Sequence, residues 1–147
     1  MSIIFYVGVG ASLLGINVIN SIISGTMITL SNISSLLSSS SKYANNYNNQ
    51  ISELDISFKL QTISKWLNDH KTDCENTPAT YAQQIYWGIE NVCEEIDIIL
   101  EIVEEKIKVH NTKLLSYYRK LDLEDEIKKL KKYNNILDER IKLIVLL

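Results

Sequence analysis

The chain has 147 residues, 46% of them hydrophobic, and carries 15 basic and 18 acidic residues for a net charge of -3. That length suits one domain with its own core and is too short for two. An acidic balance with interleaved signs offers no field for nucleic-acid phosphates, which excludes nucleic acid as a direct partner, and two cysteines, Cys74 and Cys93, exclude a disulfide framework.

Charge is distributed unevenly. Met1 to Ser41 carries none, the first charged residue being Lys42. This stretch opens with an apolar run from Ile3 to Ile16, whose exposure would cost about 25 cal/mol per Å², so it is expected to be buried in lipid or in protein. From Ile16 the apolar spacing becomes three and four, through Ile19, Ile23, Thr26, Leu30, Ile33 and Leu37, a helical seam with one polar interruption. The intervening residues are Asn, Ser and Thr, unusual for a helix facing water. A first helix over residues 3–40 would be roughly 57 Å long.

Residues 42–50, rich in Asn, read as a polar linker between an N-terminal segment, 1–41, and a coiled-coil-like domain, 51–147. Ser52 and Asp55 have capping-box spacing before Leu54, Ile56, Phe58, Leu60, Ile63, Trp66 and Leu67, predicting a second helix over 51–73. Thr77 and Pro78 suit a cap and first helical position. The third helix, 78–121, carries the clearest stripe: Ile85, Ile89, Val92, Ile96, Ile99, Val103, Ile107, His110, Leu114, Tyr117 and Leu121. One extra four-residue step, at Ile107, is a stutter that relaxes a supercoil. Its acids precede its bases, in the sense that the helix dipole favours. Asp122 and the acids Glu124, Asp125 and Glu126 mark a fourth helix over 123–146, with the stripe Leu123, Ile127, Leu130, Asn134, Leu137, Ile141 and Ile144. Asn134 is either a register-fixing polar core residue or a sign that the seam drifts onto Tyr133. The fold class is therefore all-α, four helical segments packed as antiparallel coiled-coil-like hairpins or a bundle. An up-down-up-down order would bring residues 3–9 beside the apolar tail 141–147.

Chemistry-bearing patterns are weak. Gly8, Gly10 and Gly15 lack the strand and third glycine of a dinucleotide fingerprint. The small residues Gly8, Ala11, Ser12 and Gly15 instead suit close helix packing in a membrane, with a fusion-like or re-entrant segment as the other use of such glycines. His70 and Cys74, four apart on one helical face, make half a zinc site, but Cys93 lies roughly 22 Å up the next helix, also too far for a disulfide with Cys74, which needs Cα atoms within about 7 Å. His110 on the apolar stripe reads as a satisfied seam residue, with no nucleophile assignable to it. The run from Glu90 to Glu105 reads as a charged surface rather than catalytic carboxylates. Tyr81, Tyr86 and Trp87 suit core packing at a helix start, or a binding patch or membrane-interface belt. The sequon at Asn32 lies in the seam and is not expected to be used.

No cofactor or metal is implied, and an enzyme is disfavoured. A cleaved signal peptide would need leading positive charge, which is missing. Residues 3–23 approach the about 20 apolar residues of a membrane span, and Asn17, Asn20 and Ser21 suggest oligomerisation or a tilt into one leaflet. The leading expectation is a non-enzymatic, membrane-associated scaffold, anchored by its first helix and pairing with itself or a helical partner along Ile85 to Leu114. A soluble, cytoplasmic bundle that buries the first helix by oligomerising, and a pore-forming or fusion protein, are the alternatives. The residue usage has the bias of an AT-rich genome, compatible with a viral structural component on a host or virion membrane.

Overall fold

The computed structural model describes residues 2–40, 44–70 and 79–144, with side chains described from residue 16 and, in the third arm, from residue 84. The Thr77-Pro78 cap, Cys74 and the last three residues fall outside. Among the described residues there is no strand. The helices are α1 (Ser2–Ser40), α2 (Ala44–Glu53), α3 (Ile56–Asp69), α4 (Ala79–Asn111) and α5 (Glu124–Ile144), with a 3-10 turn at Ser116–Tyr118.

Four arms result, α2 and α3 forming one bent arm. The α1 arm and the α2–α3 arm are antiparallel: Ser64 Oγ donates to Asn20 Oδ1 at 2.7 Å, whereas Leu30 and Ile33 share a cleft with Asn48 and Ile51. Helices α4 and α5 form the second antiparallel hairpin, joined by Lys106 to Glu126 at one end and by Arg140 to the Gly88 carbonyl at the other. The hairpins lie side by side. Thr26 donates to Asp97 and Asn32 to Glu104, so α1 and α4 run in the same direction. Lys59 of α3 meets Asn134 and Asp138 of α5. The pairing of α1 with α4 is the most extensive in the molecule.

The core runs along the centre. From α1 it takes Ile16, Ile19, Ile23, Thr26, Ile33 and Leu37, the seam that the spacing predicts. Thr29 also turns inward, while Leu30 is only half-buried. Buried hydroxyls of this uncharged helix bond back to the preceding turn, Thr29 to the Gly25 carbonyl and Ser40 to that of Leu36, so they cost little to bury. From α5 and the residue just before it the core takes Leu123, Ile127, Leu130, Leu137 and Ile144.

Three boundaries differ from the sequence reading. Residues 44–50 are helix rather than linker: Ala44, Tyr47 and Ile51 are buried on one face, and this tertiary packing outweighs poor Asn propensity. The second arm breaks at Leu54-Asp55, where Asp55 adopts φ 55 and forms no side-chain cap bond. Phe58, expected on the apolar face, is turned out to solvent. The third helix stops at Asn111, not 121. Lys113 N–H bonds the His110 carbonyl, and Leu115 takes φ 57, a left-handed conformation usually left to glycine. Leu121 is buried because the chain returns to the core after this loop. The α5 start is as expected, with Asp122 Oδ1 accepting the Glu124 N–H at 3.1 Å. Asn134 is the polar core residue of the fourth stripe: it is buried and accepts from Lys59 Nζ at 2.9 Å, while Tyr133 is only half-buried.

Gly25 lies mid-helix with nothing within 4 Å of where a Cβ would stand. Gly25→Ala is therefore expected to raise stability by about 0.5–1 kcal/mol through backbone entropy alone, read as a higher thermal midpoint by circular dichroism.

Candidate functional site

The third-helix stripe is used inside the chain itself. Ile85, Ile89, Val92, Ile96, Ile99, Val103, Ile107 and His110 are all buried, with α1 on one side and α5 on the other. Leu114 is not part of it: it lies beyond the helix end and is 78% exposed. Tyr117 is likewise exposed, for the same reason. His110 is held by a 2.7 Å bond from Nε2 to the Ser116 carbonyl. A carbonyl can only accept, so Nε2 carries the proton, and the ring ties the loop to the end of α4.

A second stripe on the opposite side of α4 is left in solvent: Ile98, Ile102 and Val109. Its spacing of four and seven was legible in the sequence, masked there by the stronger core stripe one residue away. Glu90, Glu94 and Glu101 lie on a third side of α4. Partial burial first, and the neighbouring Glu94 second, push the Glu90 carboxyl above its usual range. The acids nearest α1 meet neutral donors, Thr26 on Asp97 and Asn32 on Glu104. The sequon side chain of Asn32 is thus engaged on α4.

The half zinc site is not assembled from the described residues. His70 stacks on Trp66 with ring centroids 4.3 Å apart, and its Nδ1 lies 2.9 Å from the Trp66 carbonyl, which fixes the ring as a helix-end contact. Among the described residues, no three His, Cys, Asp or Glu side chains converge as a metal site. Cys93 is buried in the core, where burial first, then Glu90 and Glu94, pushes its thiol up to about 12.

The two ends of the bundle differ. At one pole, α3 ends at Asp69, just past Asn68, which accepts from Asn20 Nδ2, while α1 continues back to Ser2. At the 71-residue offset of Thr26 and Asp97, Trp87 stands level with Ile16. Trp87 is 57% exposed and shares a groove with Gln84, Asn91, Arg140 and Leu143. The α5 end, with exposed Leu143, reaches the same pole. Gly8, Ala11, Ser12 and Gly15 belong to the N-terminal part of α1; their side chains are outside those described, as is that of Tyr81. Tyr86 is buried in the core.

By length and composition, Ile16–Ser40 of α1 is long and apolar enough to cross a membrane, and 33% of its most apolar window is buried inside the bundle. A core helix of a soluble protein passes the same test. No protein-family model matches the chain, and no curated protein or solved structure matches it.

Two predictions follow from the burial pattern. Ile96→Glu places an unpaired charge in the core and is expected to cost more than about 4 kcal/mol, whereas Ile98→Glu, on the solvent side, should change stability by less than about 1 kcal/mol; denaturant melts of the two variants make the comparison. In a Cys74→Ser background at about pH 8, Cys93 should react with an aromatic disulfide reagent at least about a hundredfold more slowly than a free thiol until the protein is unfolded.

Proposed function

We propose that this chain is a non-enzymatic, membrane-attached helical scaffold, in which the N-terminal end of α1 enters a bilayer and the bundle stands upon it. The observation that carries this reading is the convergence at one pole of the extension of α1 beyond α3, the exposed Trp87 and the exposed Leu143. Trp87 lies about 12 Å inside the start of α4 at Ala79, a depth at which Trp suits the headgroup region. Ile16, Ile19 and Ile23 are core residues here, and α4 runs back to Ala79, level with Gly8 at the same offset, so the lipid-facing part is the segment ahead of both, residues 2–7. At 1.5 Å per residue it is about 9 Å long, well short of the ~30 Å hydrocarbon core, which favours insertion into one leaflet over a full span. A viral structural role on a host or virion membrane accords with the AT-rich residue usage.

A second reading has its own support. The buried run from Ile16 to Leu37 and the solvent stripe Ile98, Ile102 and Val109 also suit a soluble, cytoplasmic module whose copies cover one another's apolar surface. In this reading self-association runs through the Ile98 side of α4, not through the core stripe.

Flotation with neutral phosphatidylcholine vesicles in high salt separates the two. The full chain should float and a variant lacking residues 2–7, which spares the whole stretch of α1 that α4 accompanies, should not. If the full chain stays at the bottom as a soluble oligomer, and Ile98→Glu with Ile102→Glu renders it monomeric, the second reading replaces the first.

A further inference from the structure

The opposite pole carries a different surface. Between α4 and α5 the loop over residues 112–120 presents Leu114, Leu115, Tyr117 and Tyr118, each exposed by half or more of its surface except Tyr117 at 49%. They are held outward by a built turn rather than by a frayed end. Arg119 Nε donates to the Leu114 carbonyl at 2.7 Å, His110 holds the Ser116 carbonyl, and the two tyrosines meet edge to face at 5.3 Å. The left-handed Leu115 reverses the chain so that two leucines face solvent.

The charge around this tip is one-sided. From Thr112 to Leu121 the ionisable side chains able to carry charge at neutral pH are Lys113, Arg119 and Lys120, all cationic, with no acid among them. Lys113 and Lys120 line one cleft with Val109, and Glu105 and Asp122 stand at its α4 and α5 sides. Of the acids bordering the loop, Asp122 accepts the Glu124 N–H and Glu126 is paired with Lys106. The whole chain is nevertheless acidic, at -3, so the cationic tip is a local arrangement and not a reflection of general basicity.

We propose that the loop Lys113 to Lys120 is a contact finger for an anionic lipid bilayer. Leucines and tyrosines displayed on a turn, ringed by cations, match the two layers of such a surface. The apolar tips enter the acyl boundary, the tyrosine hydroxyls stay at headgroup level, and the lysines meet lipid phosphates and carboxylates. The acidic side of α4 with Glu90, Glu94 and Glu101 is repelled by the same surface, whereas the exposed Lys128, Lys129, Lys131 and Lys132 of α5 are attracted to it, so the apolar tip, and not charge alone, selects the loop. From Trp87 to Asn111 the helix rises about 36 Å, so with α1 entering a bilayer end-on the finger stands well clear of that membrane. The finger therefore touches a second surface. Bridging of two membranes rests on the attachment proposed for the Trp87 pole; the finger's own affinity for anionic lipid does not.

The test uses full-length protein loaded on phosphatidylcholine vesicles and mixed with sucrose-filled vesicles rich in phosphatidylserine, sedimentation of the lighter vesicles reporting bridging. Bridging is expected, and it should fall about tenfold or more in Leu114→Ser with Leu115→Ser and in Lys113→Glu with Lys120→Glu. Both variants should keep the wild-type melt and still float with neutral vesicles. Undiminished bridging in either variant, or equal bridging to neutral target vesicles, overturns the proposal. If the wild-type chain does not load on neutral vesicles, the attachment reading fails. The finger is then judged by direct sedimentation with the phosphatidylserine vesicles, where either variant binding as well as wild type overturns it.

Discussion

Everything in this bundle is arranged around the pairing of an uncharged helix with an acidic one. Helix α1 contributes a continuous seam from Ile16 to Leu37, and α4 answers with a stripe from Ile85 to His110. Apolar seams alone would allow the helices to slide by a turn. The rim bonds of Thr26 to Asp97 and Asn32 to Glu104 advance six residues on one helix and seven on the other, which sets both direction and register. Here the absence of charge on α1 has a structural use. Neutral hydroxyl and amide donors can sit against a row of carboxylates without the desolvation cost of a buried ion pair.

That register decides what each end of the molecule contains. With α1 and α4 parallel and α5 returning, the first helix and the last both reach the Trp87 pole, while the α4–α5 loop lies at the other with the end of α1 and the start of α2. The bent α2–α3 arm is shorter than α1 and is clamped near its end by Asn20, which bonds both Ser64 and Asn68. Asn20 thus marks where the four-armed core begins. The Lys59 link to Asn134 and Asp138 holds the same arm against α5 and fixes a polar crossing in an otherwise apolar layer, the use for which a buried Asn is best attested.

Much of this was legible in the sequence because helical periodicity is a repeated signal. Every residue of the third stripe from Ile85 to His110 is buried, and the Asp122 restart is where the spacing places it. The failures are local. Residues 44–50 look like a linker because Asn competes with helix, and only the burial of Tyr47 and Ile51 against the rest of the bundle reverses that. The end of α4 was missed because it carries no Gly or Pro. A leucine takes the left-handed position, and Leu114, Tyr117 and Leu121 happen to continue the helical spacing across a loop. That coincidence hid the exposed tip, the surface most different from the core. In the N-terminal apolar run, periodicity could not separate lipid-facing helix from protein core, since both are apolar.

The division between the two bears on how the first helix can act. A pore-forming or fusion mechanism would release residues 3–23 as a unit. Ile16, Ile19 and Ile23 would then exchange protein for lipid at little cost to themselves, because acyl chains and side chains are comparably apolar. The cost falls on what they leave. Ile85, Ile89, Val92 and Leu67 would face water, at about 1.5–3 kcal/mol for each large aliphatic side chain exposed, and the Ser64 and Asn68 bonds to Asn20 would be lost as well. No second apolar helix is present among the described residues to take over that surface. An attachment that uses only residues 2–7, ahead of the stretch of α1 that α4 accompanies, leaves the core intact and meets no such penalty, so the physical balance favours a bundle fixed to a membrane by its end over one that opens to enter it.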